Sequence, residues 1–262
     1  MARTLFYEAE EVLDLPKRRK GTFSLPVGVL FDAANNSGDI AAASSFSGPA
    51  SWAGTNRMLA IDVSLLGAGV TVTAMTYGGA NCTFIGAQTT VTSFGRVEQW
   101  RICQFDSGAP AAGANTLAVT LSGSLEFVVE WASYGGVNQT SPTEGFNSAQ
   151  ATNSGSATDA SVAITTVADN DWVHAAVVAN DTSITAGQTS RNNVAGTLGS
   201  GGNEDNNGPK TPAGAVTMSY TGMGITATWA IAGYAIRPLA APPIGFVPAW
   251  AVRSTNSIGG VF

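Results

Sequence analysis

The stretch VTVTAMTYGG, residues 70–79, decides the fold class. Valine alternates with threonine at its start, and successive side chains of a β-strand point to opposite faces of the sheet. Such alternation therefore predicts a strand with one buried face. Gly78-Gly79 then indicate a turn, because paired glycines end regular structure. The stretch TLAVTLS, residues 116–122, repeats the alternation and predicts a second strand of the same type.

Similar segments recur at short spacing from residue 58 to residue 236, and turn signals separate them. Almost nothing in this range has the periodicity of a helix. The predicted strands are 58–65, 71–77, 82–85, 96–105, 116–121, 125–134, 161–166, 172–178, 215–220 and 227–236. Many short strands with frequent turns are typical of an all-β fold, here an antiparallel, jelly-roll-like β-sandwich.

The sequence predicts three parts: an extended N-terminal arm at 1–57, the β-sandwich domain at 58–238 and a Pro-rich C-terminal tail at 239–262. In the arm we expect an extended strand at 22–32 and a loop of small and polar residues at 33–54. We also expect a loop at 199–208, where glycine and asparagine cluster.

Composition narrows the function classes. Only 11% of the 262 residues are charged, and the net charge is −6. Residues 58–236 contain four basic and twelve acidic residues, which argues against nucleic-acid binding. No apolar run approaches the roughly 18 residues of a membrane span, and we expect neither a signal peptide nor a membrane partner.

Catalytic and metal-binding patterns are absent. The chain has one histidine, His174, and no G-x-S-x-G or C-x-x-C sequence, so we expect a structural or surface histidine, no cofactor and no enzyme activity. Glu126 and Glu130 share one face of a predicted strand, where a glycosidase pair is conceivable but a solvated sheet face is more typical. Calcium binding by Asp169, Asp171, Glu204 and Asp205 is a lesser alternative.

The cysteines and the aromatic residues each leave two interpretations open. Cys82 and Cys103 could pair, but buried free thiols are favoured. Five aromatic residues inside predicted strands could form a carbohydrate platform, although packing between two sheets is more usual. They are Trp100, Trp131, Tyr134, Trp172 and Trp229.

Several segments resemble a β-sandwich module of virion proteins of tailed bacteriophages. They include VTVTAMTYGGANCTFIGA (70–87), RVEQWRICQFDSGAPAAGANTLAVTLSG (96–123), EWASYGGVNQTSPTE (130–144), SVAITTVADNDWVHAAVVAN (161–180) and VTMSYTGMGITATWAIAGYAIRP (216–238). The resemblance covers about residues 58–238. It implies a sandwich used in phage heads or tails, and it supplies no catalytic motif.

These observations together predict a non-enzymatic bacteriophage virion structural protein, first of all a capsid decoration or cement protein. It would assemble in the host cytoplasm and bind the major capsid or tail protein and copies of itself, as a homo-oligomer. The alternatives are a tail or fibre module that binds host-surface polysaccharide, and a bacterial adhesin or carbohydrate-binding domain. The expected partner-binding residues lie in the arm and tail: Leu5, Phe6, Lys17, Arg18, Arg19, Lys20, Phe23, Phe246, Trp250 and Phe262. The basic run is expected to meet acidic patches, including those of another copy.

Overall fold

The computed structural model describes residues 28–67, 69–153 and 159–240, which form antiparallel strands and no helix. The predicted fold class, an all-β antiparallel sandwich, is confirmed. The strands are β1 Leu30–Asn36, β2 Ile40–Trp52, β3 Met58–Leu65, β4 Val72–Tyr77, β5 Ala80–Asn81, β6 Thr83–Thr89, β7 Arg96–Cys103, β8 Gly113–Gly135, β9 Thr143–Thr152, β10 Ala160–Thr165, β11 Trp172–Ala179, β12 Thr185–Ala186, β13 Thr189–Ala195, β14 Ser200–Asp205, β15 Ala215–Thr221 and β16 Thr228–Ile236.

The strands divide into two halves that follow each other in the sequence. In the N-terminal half, β1 to β8 form one eight-stranded sheet. In the C-terminal half, five strands form one sheet in the order β13-β14-β11-β16-β9, and three form another in the order β10-β15-β12.

The 23-residue strand β8 organises the N-terminal half. Its first part pairs with β2 and β4, and its second part pairs with β1 and β3. Within the first part, Leu121 lies opposite Val72 and Leu117 lies opposite Tyr77. The two alternating stretches of the sequence therefore pair with each other.

Burial along the strands reveals four layers. Alternate residues of β10 are buried, as expected of an outer strand with one solvated face. Every residue of β3, β11, β14 and β16 is buried, so these strands are covered on both faces. The strand β8 changes from alternating to continuous burial near Leu125, where it passes from an outer to an inner layer. The N-terminal sheet thus folds over itself, and its inner part packs on the five-stranded sheet.

Apolar clusters fill the spaces between the layers. Ile61, Phe127 and Trp52 belong to the cluster inside the folded N-terminal sheet, where the rings of Trp52 and Tyr77 meet edge to face at 5.1 Å. Val173 and Ile231 of the five-stranded sheet pack against the three-stranded sheet. The space between the two halves is only partly apolar, and it contains the polar network described below.

The structure differs from the prediction in the arm, because residues 30–52 form β1 and β2 of the N-terminal sheet. The segment that we expected to be a loop has little apolar patterning, since only Ala50 and Trp52 are buried within β2. Its main-chain hydrogen bonds to β8 hold it in the sheet instead. Pro49 is tolerated because β2 is an edge strand with β8 as its partner.

The loop prediction for 199–208 is wrong, since Ser200–Asp205 form the buried strand β14. A Cβ atom on Gly201 would lie 2.7 Å from the Cβ of Ser64 in β3. Glycine is therefore needed here because the two sheets approach closely. Glycines are also common in turns, so the same residues led to the loop prediction.

Candidate functional site

A buried polar network joins the two halves. Asp62 lies in the middle of the apolar strand β3, and His174 has the same position in β11. The two side chains are 0% exposed, and 2.8 Å separates the imidazole Nε2 from the carboxylate Oδ2. The pair therefore connects the N-terminal sheet directly to the five-stranded sheet.

The network continues through Tyr134 of β8 to β13, an edge strand of the five-stranded sheet. The Tyr134 hydroxyl lies 3.1 Å from His174 Nδ1 and donates to Asp205 Oδ2 at 2.9 Å. Arg191 of β13 donates to both oxygens of Asp205, at 2.7 and 2.8 Å. The guanidinium of Arg191 also lies 3.6 Å from the centre of the Phe31 ring, so the network ends on β1.

Each nitrogen of His174 has one partner in this network. Nε2 lies next to Asp62 Oδ2, and Nδ1 lies next to the Tyr134 oxygen. The Tyr134 hydroxyl donates to Asp205, which also accepts two hydrogen bonds from Arg191. The imidazole ring is therefore held at both nitrogens.

Amide side chains complete the surroundings of Asp62. Asn203 Nδ2 donates to Oδ2 at 2.8 Å, and Gln99 Nε2 donates to Oδ1 at 3.1 Å. Asn192 donates in turn to the Asn203 oxygen at 2.9 Å. These donors lower the cost of burying the carboxylate, because each replaces a hydrogen bond to water.

The interpretation of Glu126 and Glu130 as acids on a solvated face is wrong. Glu130 is 0% exposed and Glu126 is 8% exposed, because this part of β8 lies in an inner layer. Burial and the neighbouring Asp62 carboxylate raise the pKa of Glu130 well above its usual value, which favours its uncharged form. The oxygen Glu126 Oε1 accepts from the backbone N–H of Leu198 at 2.8 Å. Glu130 Oε2 accepts from the Ser64 hydroxyl at 3.4 Å, whereas Glu130 Oε1 has no hydrogen-bond partner among the described residues.

The geometry of the network is that of a structural contact between the two halves and not that of a reaction centre. Both nitrogens of His174 are engaged, and the ring is fully buried, so neither nitrogen reaches an external substrate. The imidazole ring meets the Tyr134 ring edge to face at a centroid distance of 6.0 Å and lies tilted against the Tyr234 ring at 5.4 Å. The expectation of a structural histidine agrees with this arrangement.

The residues considered for calcium have other partners. Glu204 accepts from the backbone N–H groups of Gln188 and Ser219, and Asp205 is held by Arg191. Asp169 accepts from the backbone N–H of Ala213. Within the described ranges, no three His, Cys, Asp or Glu side chains form a metal-binding group.

Two further buried carboxyls have raised pKa values. Burial, together with a hydrogen bond to Glu144, raises the pKa of Asp171 to about 7. Burial also raises the pKa of Glu204 to about 7, although its two backbone N–H donors act in the opposite direction. Both groups are fully buried, so solvent does not compensate their charge.

The cysteines and most of the aromatic residues lie in the interior. Cys82 and Cys103 are buried, unpaired thiols, as favoured by the sequence. Trp131, Tyr134, Trp172 and Trp229 are buried between sheets, which supports the packing interpretation. Trp100 is half-buried, and its ring meets the exposed ring of Phe84 edge to face at 5.0 Å.

The acidic excess of residues 58–236 is largely internal. Seven of its twelve acidic side chains are buried: Asp62, Glu98, Glu126, Glu130, Asp171, Glu204 and Asp205. These charges cannot form an acidic patch for the basic run 17–20 of a neighbour. The surface that neighbours can contact is consequently less charged than the composition indicates.

A side groove of about 360 Å³ lies between the two halves. Its walls come from β6 and β7 of the N-terminal half and from β9 and β16 of the C-terminal half. The principal lining residues are Thr83, Phe84, Arg101, Glu144, Phe146 and Tyr234. Phe84 and Phe146 are 46% and 39% exposed, so the groove presents two aromatic side chains to solvent.

An end groove of about 470 Å³ contains both ends of the described chain. Gly28 and Val29 line it together with Leu239 and Ala240. The turn at 134–142 holds this region together, since the backbone N–H of Leu239 donates to the Gly136 oxygen at 2.7 Å. The N-terminal and C-terminal extensions therefore start side by side.

The predicted partner-binding residues of the arm and tail lie outside the described residues. They are Leu5, Phe6, Lys17, Arg18, Arg19, Lys20, Phe23, Phe246, Trp250 and Phe262. Sequence analysis missed Asp62, Asn203 and Arg191 as members of a network. One signal was present, because an aspartate in the centre of the apolar run MLAIDVSL has to find buried partners.

No helix that could cross a membrane occurs in residues 28–67, 69–153 and 159–240. Comparison of the chain with protein-family models, with curated proteins and with solved structures gives no match.

Proposed function

We propose that this protein is a non-enzymatic structural component of a tailed-bacteriophage virion, namely a capsid decoration protein. The observation that carries the proposal is that the two extensions begin at the same place on the surface, since Val29 and Leu239 line one groove. An arm of 27 residues and a tail of 22 residues can therefore contact the same neighbouring subunit.

Exposed apolar side chains next to the end groove support this role. Leu30 is 54% exposed, Val167 is 71% exposed and Leu239 is 39% exposed. Each lies in the groove lining or next to it in the sequence. Apolar surface of this kind favours contact with another protein, because its burial contributes about 25 cal/mol per Å².

The four-layer body also suits a particle that must withstand internal pressure. Its inner strands are buried on both faces, and a hydrogen-bonded network of buried polar side chains joins the two halves. Catalysis does not enter the proposal, since the only histidine is engaged within this network.

The test is occupancy on purified virions of the phage that encodes the protein. Full-length protein should appear in virions in a fixed ratio to the major capsid protein, measured by quantitative mass spectrometry. Deletion of 1–27 or of 241–262 should abolish this incorporation and leave the β-rich circular dichroism spectrum unchanged. Equal incorporation of both truncated forms would show that the extensions are not the binding elements, and absence of the full-length protein from virions would refute the role.

A further inference from the structure

The side groove carries chemistry that neither the buried network nor the chain ends use. Its apolar wall consists of Phe84 from β6 and Phe146 from β9. A Cβ atom on Gly86 would overlap the Phe146 ring, so this glycine gives the ring its place across the boundary of the two halves. The Phe84 ring is supported from behind by Trp100. The two exposed rings are thus held in place by their neighbours.

Polar groups of several kinds lie beside these rings. Arg101 provides hydrogen-bond donors, Glu144 provides carboxylate oxygens, and Thr83 and Thr143 provide hydroxyls that can donate or accept. Within the described chain, the hydrogen bonds of Arg101 all come from NH1, to Cys103 Sγ and Asp106 Oδ2, both at 3.4 Å. The remaining guanidinium nitrogens can therefore serve a ligand.

Tyr234 supplies the most specific sign of a ligand. It is 0% exposed, it lines the groove, and its hydroxyl finds no hydrogen-bond partner among the described residues. A buried hydroxyl without a partner costs free energy, and such groups are rare in native proteins. Burial raises the pKa of this phenol well above its usual value, so it keeps its proton.

We infer that the side groove binds a neutral sugar ring. The C–H groups on one face of such a ring pack against aromatic side chains, while its hydroxyls need both donors and acceptors nearby. A purely apolar ligand would leave the Tyr234 hydroxyl without a partner. A charged ligand is not favoured, because the groove contains groups of both signs, Arg101 and Glu144, and Glu144 is already paired with Arg237 at 3.2 Å. The volume lies at the lower end of the range of about 300–1,000 Å³ for small-ligand sites.

The inference does not depend on the proposed role in the virion. A decoration protein with this groove would also attach particles to glycans, and the groove would have the same chemistry in any other protein. Loss of particle binding by the truncated forms and loss of sugar binding by the variants below can therefore be observed separately.

The experiment uses the full-length protein and a glycan array that contains neutral and acidic oligosaccharides, followed by calorimetric titration of the glycans that bind. At least one neutral glycan should bind. Phe84→Ala should weaken its affinity by about tenfold or more, because one wall of the groove is lost. Gly86→Ala should also weaken it, because the added methyl group displaces the Phe146 ring.

Tyr234→Phe separates ligand binding from folding. The hydroxyl has no partner in the described protein, so its removal should leave the melting temperature unchanged or slightly raised while the sugar affinity falls. Phe105→Ala is the matched control, since Phe105 is 68% exposed outside the groove and its loss should not change binding.

Three results would overturn the inference: no neutral glycan bound at millimolar concentration, a preference for acidic glycans, or equal affinity of the wild type and the groove variants. Competition by a peptide with the sequence of residues 241–262 gives a further test. If the peptide binds the groove and the glycans do not, the groove is a protein-docking site.

Discussion

Asp62 and His174 are separated by 112 positions in the sequence, yet 2.8 Å separates their side chains at the centre of the protein. Asp62 belongs to the N-terminal half and His174 to the C-terminal half. The pair therefore connects two sets of sheets, each of which is built from one continuous part of the sequence. The packing of the halves against each other thus includes a buried Asp–His hydrogen bond within a boundary that is only partly apolar.

The first prediction concerns this contact. Asp62→Asn should lower the free energy of unfolding by about 3–5 kcal/mol, because it removes one partner of a fully buried, hydrogen-bonded pair. Urea titration followed by fluorescence measures the change. Arg101→Ala is the control, since Arg101 and Asp106 are partly exposed and 3.4 Å apart, and its cost should be about 1 kcal/mol or less.

A double-mutant cycle with His174→Gln distinguishes a pair from two independent residues. The combined Asp62→Asn and His174→Gln variant should lose less stability than the sum of the single variants. Strict additivity would mean that the pair does not act as a unit.

The second prediction concerns the close approach of β14 to β3. Gly201→Ala should destabilise the protein by about 1–3 kcal/mol, because the new Cβ would lie 2.7 Å from Ser64 Cβ and the sheets would have to separate. Gly208→Ala is the matched control, since a Cβ there meets no atom within 4 Å. Thermal unfolding of the two variants gives the comparison, and equal melting temperatures would contradict the packing described here.

The third prediction concerns Asp171. Its pKa is about 7 in the folded protein and 3.8 ordinarily, so the folded state binds this proton more tightly than the unfolded state. The free energy of unfolding should therefore fall as the pH rises from about 4 to about 7, and this contribution should then level off. Asp171→Asn should reduce that slope, because the amide does not titrate and can still donate a hydrogen bond to Glu144.

Urea unfolding of the wild type and of Asp171→Asn at pH 5 and pH 8 measures this effect. Glu204 contributes a slope of the same sign, since its pKa is also raised to about 7, so only part of the dependence should disappear. If the variant retains the full wild-type slope, Asp171 is not the titrating group.

The fourth prediction concerns the thiols. Burial raises the pKa of Cys82 and of Cys103 to about 12, so little thiolate is present at pH 8. Ellman's reagent should react with neither thiol of the folded protein within minutes and with both after unfolding in guanidinium chloride. Rapid modification of Cys103, which is 0% exposed, would contradict the packing of β7 against the C-terminal half.

Sequence pattern predicts strands well where one face is solvated or where the strand is apolar throughout. The prediction for 58–65 agrees with β3 at both ends, and the alternation at 116–121 lies within β8. Both cases depend on the burial of apolar side chains, which the pattern reports directly.

Strands that are held by other forces were not predictable in this way. The strand β2 is ordered by main-chain pairing to β8, and its Ser, Ala and Gly residues carry no pattern. In β14 the sequence SGGNED combines glycines for sheet contact with acids for the network, and the same residue types usually form turns. The side groove was equally hidden, since it brings Phe84 and Phe146 together from different halves.

The length and position of β8 have a consequence for synthesis of the chain. Among the described strands, β1 and β2 pair only with β8, so residues 30–52 have no sheet partner until residues 113–135 have been made. Closure of such long loops is entropically costly and slows folding. On the ribosome, residues 30–52 should therefore wait for β8 to emerge, and in that interval their unpaired main-chain groups are exposed to aggregation and to chaperones.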